Sequence, residues 1–124
     1  MSQLIMADSD NFFASSLIAA LEAVSAAEDD LTSAVAAQSL AALKLSEAQQ
    51  VRDELKATVN DLLASTEASI DETVEKSDQL RLATELLETA AANLARADEW
   101  VKRAKKTHAK AFVKKQAAED CASY

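Results

Sequence analysis

From Leu80 to Ala111 the apolar residues fall on two interleaved lines. Every seventh position is Leu80, Leu87, Leu94, Val101 and His108, and three residues after each comes Ala83, Ala90, Ala97, Ala104 and Ala111. Apolar residues at a mean spacing of 3.5 keep to one face of a helix and form the seam of a coiled coil, with positions called a and d. A large residue at a and alanine at d lets a partner helix come close.

The same frame runs upstream. The a line continues back through Thr73, Thr66, Val59, Arg52, Leu45, Gln38, Leu31, Val24 and Leu17, and the d line through Lys76, Ser69, Leu62, Leu55, Ala48, Ala41, Ala34, Ala27, Ala20 and Phe13. Leu21, Val35 and Leu63 lie beside the first seam at e and widen it. Gln38 and Arg52 interrupt it, as polar a residues do when they fix register. Only at Thr66, Ser69, Thr73 and Lys76 is the seam filled throughout by small or polar residues.

This pattern predicts an all-α chain: a lead-in over 1–10, a first helix over about 11–64, a turn or break over 65–77, a last helix over about 78–118 and a frayed tail at 119–124. Asp8, Ser9 or Asp10 would cap the first helix. Ser69 with Glu72 is a candidate capping box, which would start the last helix nearer Asp71, and Ser77 or Asp78 is another possible start. The preferred architecture is a long antiparallel helical hairpin with a Leu/Ala heptad seam, associating into a bundle. One continuous rod in a parallel coiled coil is the alternative, because both seams share one register. A three-helix bundle with an extra break at Ser46–Gln49 is the third.

Composition narrows the class further. The 124 residues, read as a single domain, include 28 alanines and no glycine or proline, so the usual turn formers and helix breakers are missing. Five aromatic residues leave little to fill a wide core. A lone hairpin buries little apolar surface, and Ile18, Leu40, Leu43, Leu82 and Leu86 lie off the seam, so an additional interface is expected.

Charge is uneven. Residues 1–99 hold six Lys/Arg against 19 Asp/Glu, a net of −13, while residues 100–124 hold seven against two, a net of +5. In a hairpin the basic end would face Glu22, Glu28, Asp29 and Asp30. The segment 100–115, with Trp100, Lys102, Arg103, Lys105, Lys106, Lys110, Phe112, Lys114 and Lys115, is the candidate contact for a partner or a polyanion. It suits an acidic protein surface first, the phosphates of nucleic acid second and an anionic membrane third.

Candidate chemistry changes little. The lack of glycine excludes phosphate-binding loops and dinucleotide fingerprints, and one histidine excludes zinc and di-iron helix motifs. His108 reads as a seam residue, and Cys121 is alone. No catalytic residue, cofactor or metal ligand is assigned. The adjacent Phe12 and Phe13 cover the open end of the helix contact or hook a partner. The longest uncharged stretches are short for a membrane span, and no Lys or Arg precedes Lys44 to start a secretory signal. The expectation is a soluble protein, in the cytoplasm or in a particle assembled inside a cell.

The functional expectation is a non-enzymatic structural or interaction protein, an oligomeric subunit of a larger particle such as a virion or a coat. Its contacts would be Leu17, Val24, Leu31, Leu45, Leu55, Val59, Leu62, Leu80, Ala83, Leu87, Ala90, Leu94, Ala97, Val101 and Ala104, with protein as partner. A nucleic-acid-associated accessory protein using the basic segment is the alternative.

Overall fold

The computed structural model describes residues 2–122 of the backbone and the side chains of residues 14–121. Two helices account for nearly all of it. α1 spans Ser2–Ala64 and α2 spans Ile70–Ala122, and the two pack against each other in antiparallel pairs such as Val24 with Ala111. The continuous rod is therefore not formed. Nor is the three-helix bundle, since α1 passes through Ser46–Gln49 without a break.

Without glycine or proline nothing inside either segment interrupts the backbone, and each helix runs further than its caps suggest. α1 begins at Ser2, so most of the expected lead-in is helix and Asp8, Ser9 and Asp10 lie within it rather than at its cap. α2 begins at Ile70 instead of near 78, and continues to Ala122 through the expected frayed tail. Threonine is tolerated because its hydroxyl bonds back one turn: Thr32, Thr58, Thr84 and Thr89 donate to the carbonyls of Glu28, Glu54, Leu80 and Glu85 at 2.9–3.1 Å.

The link at 65–69 reverses the chain without glycine, and no described residue has positive φ. Hydroxyls supply what glycine would otherwise permit. The N–H of Ser65 closes α1 onto the carbonyls of Asp61 and Leu62, while Ser65 Oγ accepts the N–H of Glu67 at 3.2 Å. Ser69 Oγ accepts the N–H of Glu72 at 3.1 Å, the bond of an N-cap. Asp71 and Glu72 place negative charge in the first turn, where the helix dipole favours it. Ser69→Ala should cost about 1 kcal/mol, as loss of an N-cap does; chemical denaturation of the full chain checks this, and an unchanged midpoint would count against the cap.

The helices are shared between two compact units, residues 1–35 with 99–124 and residues 36–98. In the first unit Val24, Ala27, Ala34, Val101, Ala104 and Ala111 are buried, with Leu31 and Trp100 packed against Ala34, Val101 and Ala104. In the second unit only Val59, Ala83 and Ala97 are buried among the described residues.

All nine residues that are buried among the described ones occupy the a or d lines, and every other a or d residue from Leu17 to Leu62 and from Thr73 to Ala111 is half-buried. The stripe is narrower than its sequence suggested, however. Leu21, Val35 and Leu63 at e are exposed, because a helix with a single partner covers little beyond its two seam lines.

Candidate functional site

Two surfaces stand out, one on each unit. The first is apolar. On the 36–98 unit a groove of about 450 Å³ is lined from α1 by Ala37, Leu40, Ala41, Lys44 and Ala48, and from α2 by Leu86, Thr89, Ala90, Asn93 and Ala97. A smaller depression, also lined by Lys44, Ala48 and Leu86, adds Glu47, Val51 and Ala83. Its formation follows from the residue pattern. Alanine at 41, 48, 90 and 97 leaves the cleft between the helices shallow-walled, and Leu40 and Leu86 stand beside it 52% and 66% exposed. Leu43, Val51 and Leu82 on the same unit are also at least half exposed. So many large apolar side chains in water on one small unit are the mark of a contact surface.

Within this unit Leu45, Leu55, Leu62, Leu80, Leu87, Ala90 and Leu94 are only half-buried. The one long-range polar contact crosses between its helices: Gln38 Nε2 donates to Asp98 Oδ1 at 2.7 Å, partly buried. Gln38 takes the place of a leucine on the a line, and a polar a residue gives up stability for register. Gln38→Leu should therefore raise the melting temperature by a few degrees, since about 1 kcal/mol of burial outweighs an exchangeable hydrogen bond to a half-buried carboxylate. A lower melting temperature would show that the Gln38–Asp98 bond contributes more than the seam.

The second surface is basic and lies on the other unit. Among the described residues the expected meeting of the lysine-rich end with the acids of α1 is realised at two places. Trp100 Nε1 donates to Asp30 Oδ1 at 3.1 Å, and His108 Nε2 lies 3.6 Å from Glu28 Oε1. Trp100 is thereby drawn towards α1 and is not an outward contact. The lysines behave differently. Lys102 pairs with Glu99 at 3.4 Å and Lys115 with Glu119 at 3.7 Å, both along α2, and Lys115 Nζ also lies 5.4 Å from the centre of the Phe112 ring. Among the described residues Arg103, Lys105, Lys106, Lys110 and Lys114 form no ion pair, and all five are exposed. The reason is geometric: these residues project from the side and back of α2, while Glu28 and Asp30 reach only the groups beside the helix contact.

No family model, no curated protein and no solved structure matches the chain. The surfaces must therefore be read from their own chemistry. Among the described residues no helix is long and apolar enough to cross a membrane, and no three His, Cys, Asp or Glu side chains gather as a metal site would require. Cys121 is exposed and unbridged. The side chains of Phe12 and Phe13, whether cover or hook, lie outside the described residues. The apolar groove was only partly legible in advance: Leu40, Leu43, Leu82 and Leu86 mark an extra contact by falling off the seam, but the alanine floor beside Leu40 and Leu86 belongs to the seam itself.

Proposed function

We propose that the chain is a non-enzymatic structural protein that works by helix–helix contact, as an oligomeric subunit of a larger particle such as a virion or a coat. In this reading Leu17, Val24, Leu31, Leu45, Leu55, Val59, Leu62, Leu80, Leu87, Leu94 and Val101, with their alanine neighbours, act as a coiled-coil seam. The protein is soluble, in the cytoplasm or within a particle built inside a cell.

The observation that carries this reading is the apolar groove of the 36–98 unit, with Leu40 and Leu86 exposed beside an alanine floor. Its occupant is a second copy of this chain. The unit buries only Val59, Ala83 and Ala97, less than a small domain needs to stand alone. Each copy offers both the leucines and the alanine floor that receives them, so two copies satisfy each other through one self-complementary face. Joining two antiparallel helix pairs gives a four-helix bundle, whose inner face holds the leucines that a single pair leaves wet.

Light scattering coupled to size-exclusion chromatography tests this directly. A dimer or higher oligomer at micromolar concentration is the expected result, and a monomer across the accessible concentration range overturns it.

A further inference from the structure

The segment 100–115 holds seven Lys/Arg and no Asp/Glu. Its apolar line, Val101, Ala104 and Ala111, is already buried in the 1–35 and 99–124 unit. At 3.6 residues per turn, Arg103, Lys106 and Lys110 fall on the side of α2 turned away from that line, and Lys114 stands at its flank. All four are exposed and, among the described residues, unpaired. Lys102 flanks them, held only by its exposed contact with Glu99. A row of cations without counter-charge raises the local potential even on a chain that is acidic overall.

We propose that this row is a binding surface for the phosphate backbone of nucleic acid, without base readout. Its shape argues for a linear polyanion. Lys102, Lys106, Lys110 and Lys114 recur every fourth residue, rising about 6 Å and turning about 40° at each step, so they form a ridge roughly 18 Å long that winds about a third of a turn round α2. A duplex presents one charge per about 1.7 Å of axis, more phosphates over that length than the row can contact. The residue types argue against base reading. Four of the five cations are lysines, which act as point charges rather than bidentate forks, and the segment has no Asn or Gln to read an adenine edge. Trp100, the natural stacking platform, is committed to Asp30.

A membrane surface is the weaker fit. An interfacial helix inserts its apolar face, and here Val101, Ala104 and Ala111 are covered by α1, which leaves only Phe112 and Val113 as large exposed apolar side chains of the segment. The acids on α1 do not cancel the row, because Glu28 and Asp30 are directed to His108 and Trp100. Glu99 closes one end of the row, and Glu119 and Asp120 the other. The proposal stands whether the chain acts as one copy or several.

The test is fluorescence anisotropy of a short labelled DNA duplex titrated with the full chain across a salt series. Five phosphate contacts predict that log K falls with log salt at a slope of about −4.5, equally for unrelated sequences. K110Q should weaken binding uniformly and lower the slope by about 1. K106E/K110E/K114E should bind at least tenfold more weakly while circular dichroism shows unchanged helix. No duplex binding at low salt, or full binding by the triple variant, overturns the proposal. So does equal or tighter binding to anionic lipid vesicles or to polyglutamate.

Discussion

Replacing Ala34 with leucine lowers the midpoint of thermal unfolding by on the order of 10 °C. Ala34 is 0% exposed and shares one cluster with Val101 and Ala104 on the facing helix. Ala34 and Ala104 are small there, and Leu31, Trp100 and Val101 close the space around them. An isobutyl group has no room at such a point, so it must leave its preferred rotamer or push the helices apart. Overpacking of this kind costs about 1–3 kcal/mol, and for a chain of this length each kcal/mol shifts the midpoint by several degrees. Circular dichroism during heating measures the change. Ala42→Leu, on an exposed position of α1, supplies the control and should leave the midpoint nearly unchanged. If both variants melt together with the parent chain, close approach at Ala34 is not what holds the first unit.

Replacing Leu40 and Leu86 with glutamate dissociates the oligomer and leaves the helices intact. Both side chains are more than half exposed within one chain, so the substitutions remove little from the fold of a single copy. In the proposed bundle each copy buries both. Burying a leucine contributes about 1.5–3 kcal/mol, and a glutamate forced into the same place adds a cost for the buried charge. The dissociation constant should rise by at least about a hundredfold, read by sedimentation equilibrium, with the far-ultraviolet spectrum unchanged. An oligomer of unaltered affinity would remove the groove from the assembly, and with it the observation on which the proposed function rests.

The leucine and alanine lines anticipated where side chains are covered, because the spacing of covered positions on a helix facing one neighbour is set by the pitch of the helix. Ser69 was legible as a cap, since a hydroxyl three residues before Glu72 has a defined bond to make. The basic segment meets the acids of α1 only in part, for an equally physical reason. Opposite net charges on two segments predict attraction, but only groups flanking the contact can reach across it. His108 and Trp100 sit there, whereas Lys106 and Lys110 do not. Trp100 likewise looked available because it adjoins the lysines in sequence; one helical position towards the contact turned its indole onto Asp30.

By itself the sequence determined that this chain is helical and that the side chains buried between its helices, among the described residues, are valines and alanines of the a and d lines. Those properties depend on residues a few positions apart, and the absence of glycine and proline leaves the backbone little else to do. The tertiary structure decided the rest: reversal at 65–69 and hence two helices in place of one, the partners of Gln38 and Trp100, the alanine-floored groove, and which lysines are left uncompensated. Each depends on which residues far apart in sequence come to lie side by side, a relation that a repeat every seven residues leaves open, because it is equally satisfied by a neighbour from the same chain or from another.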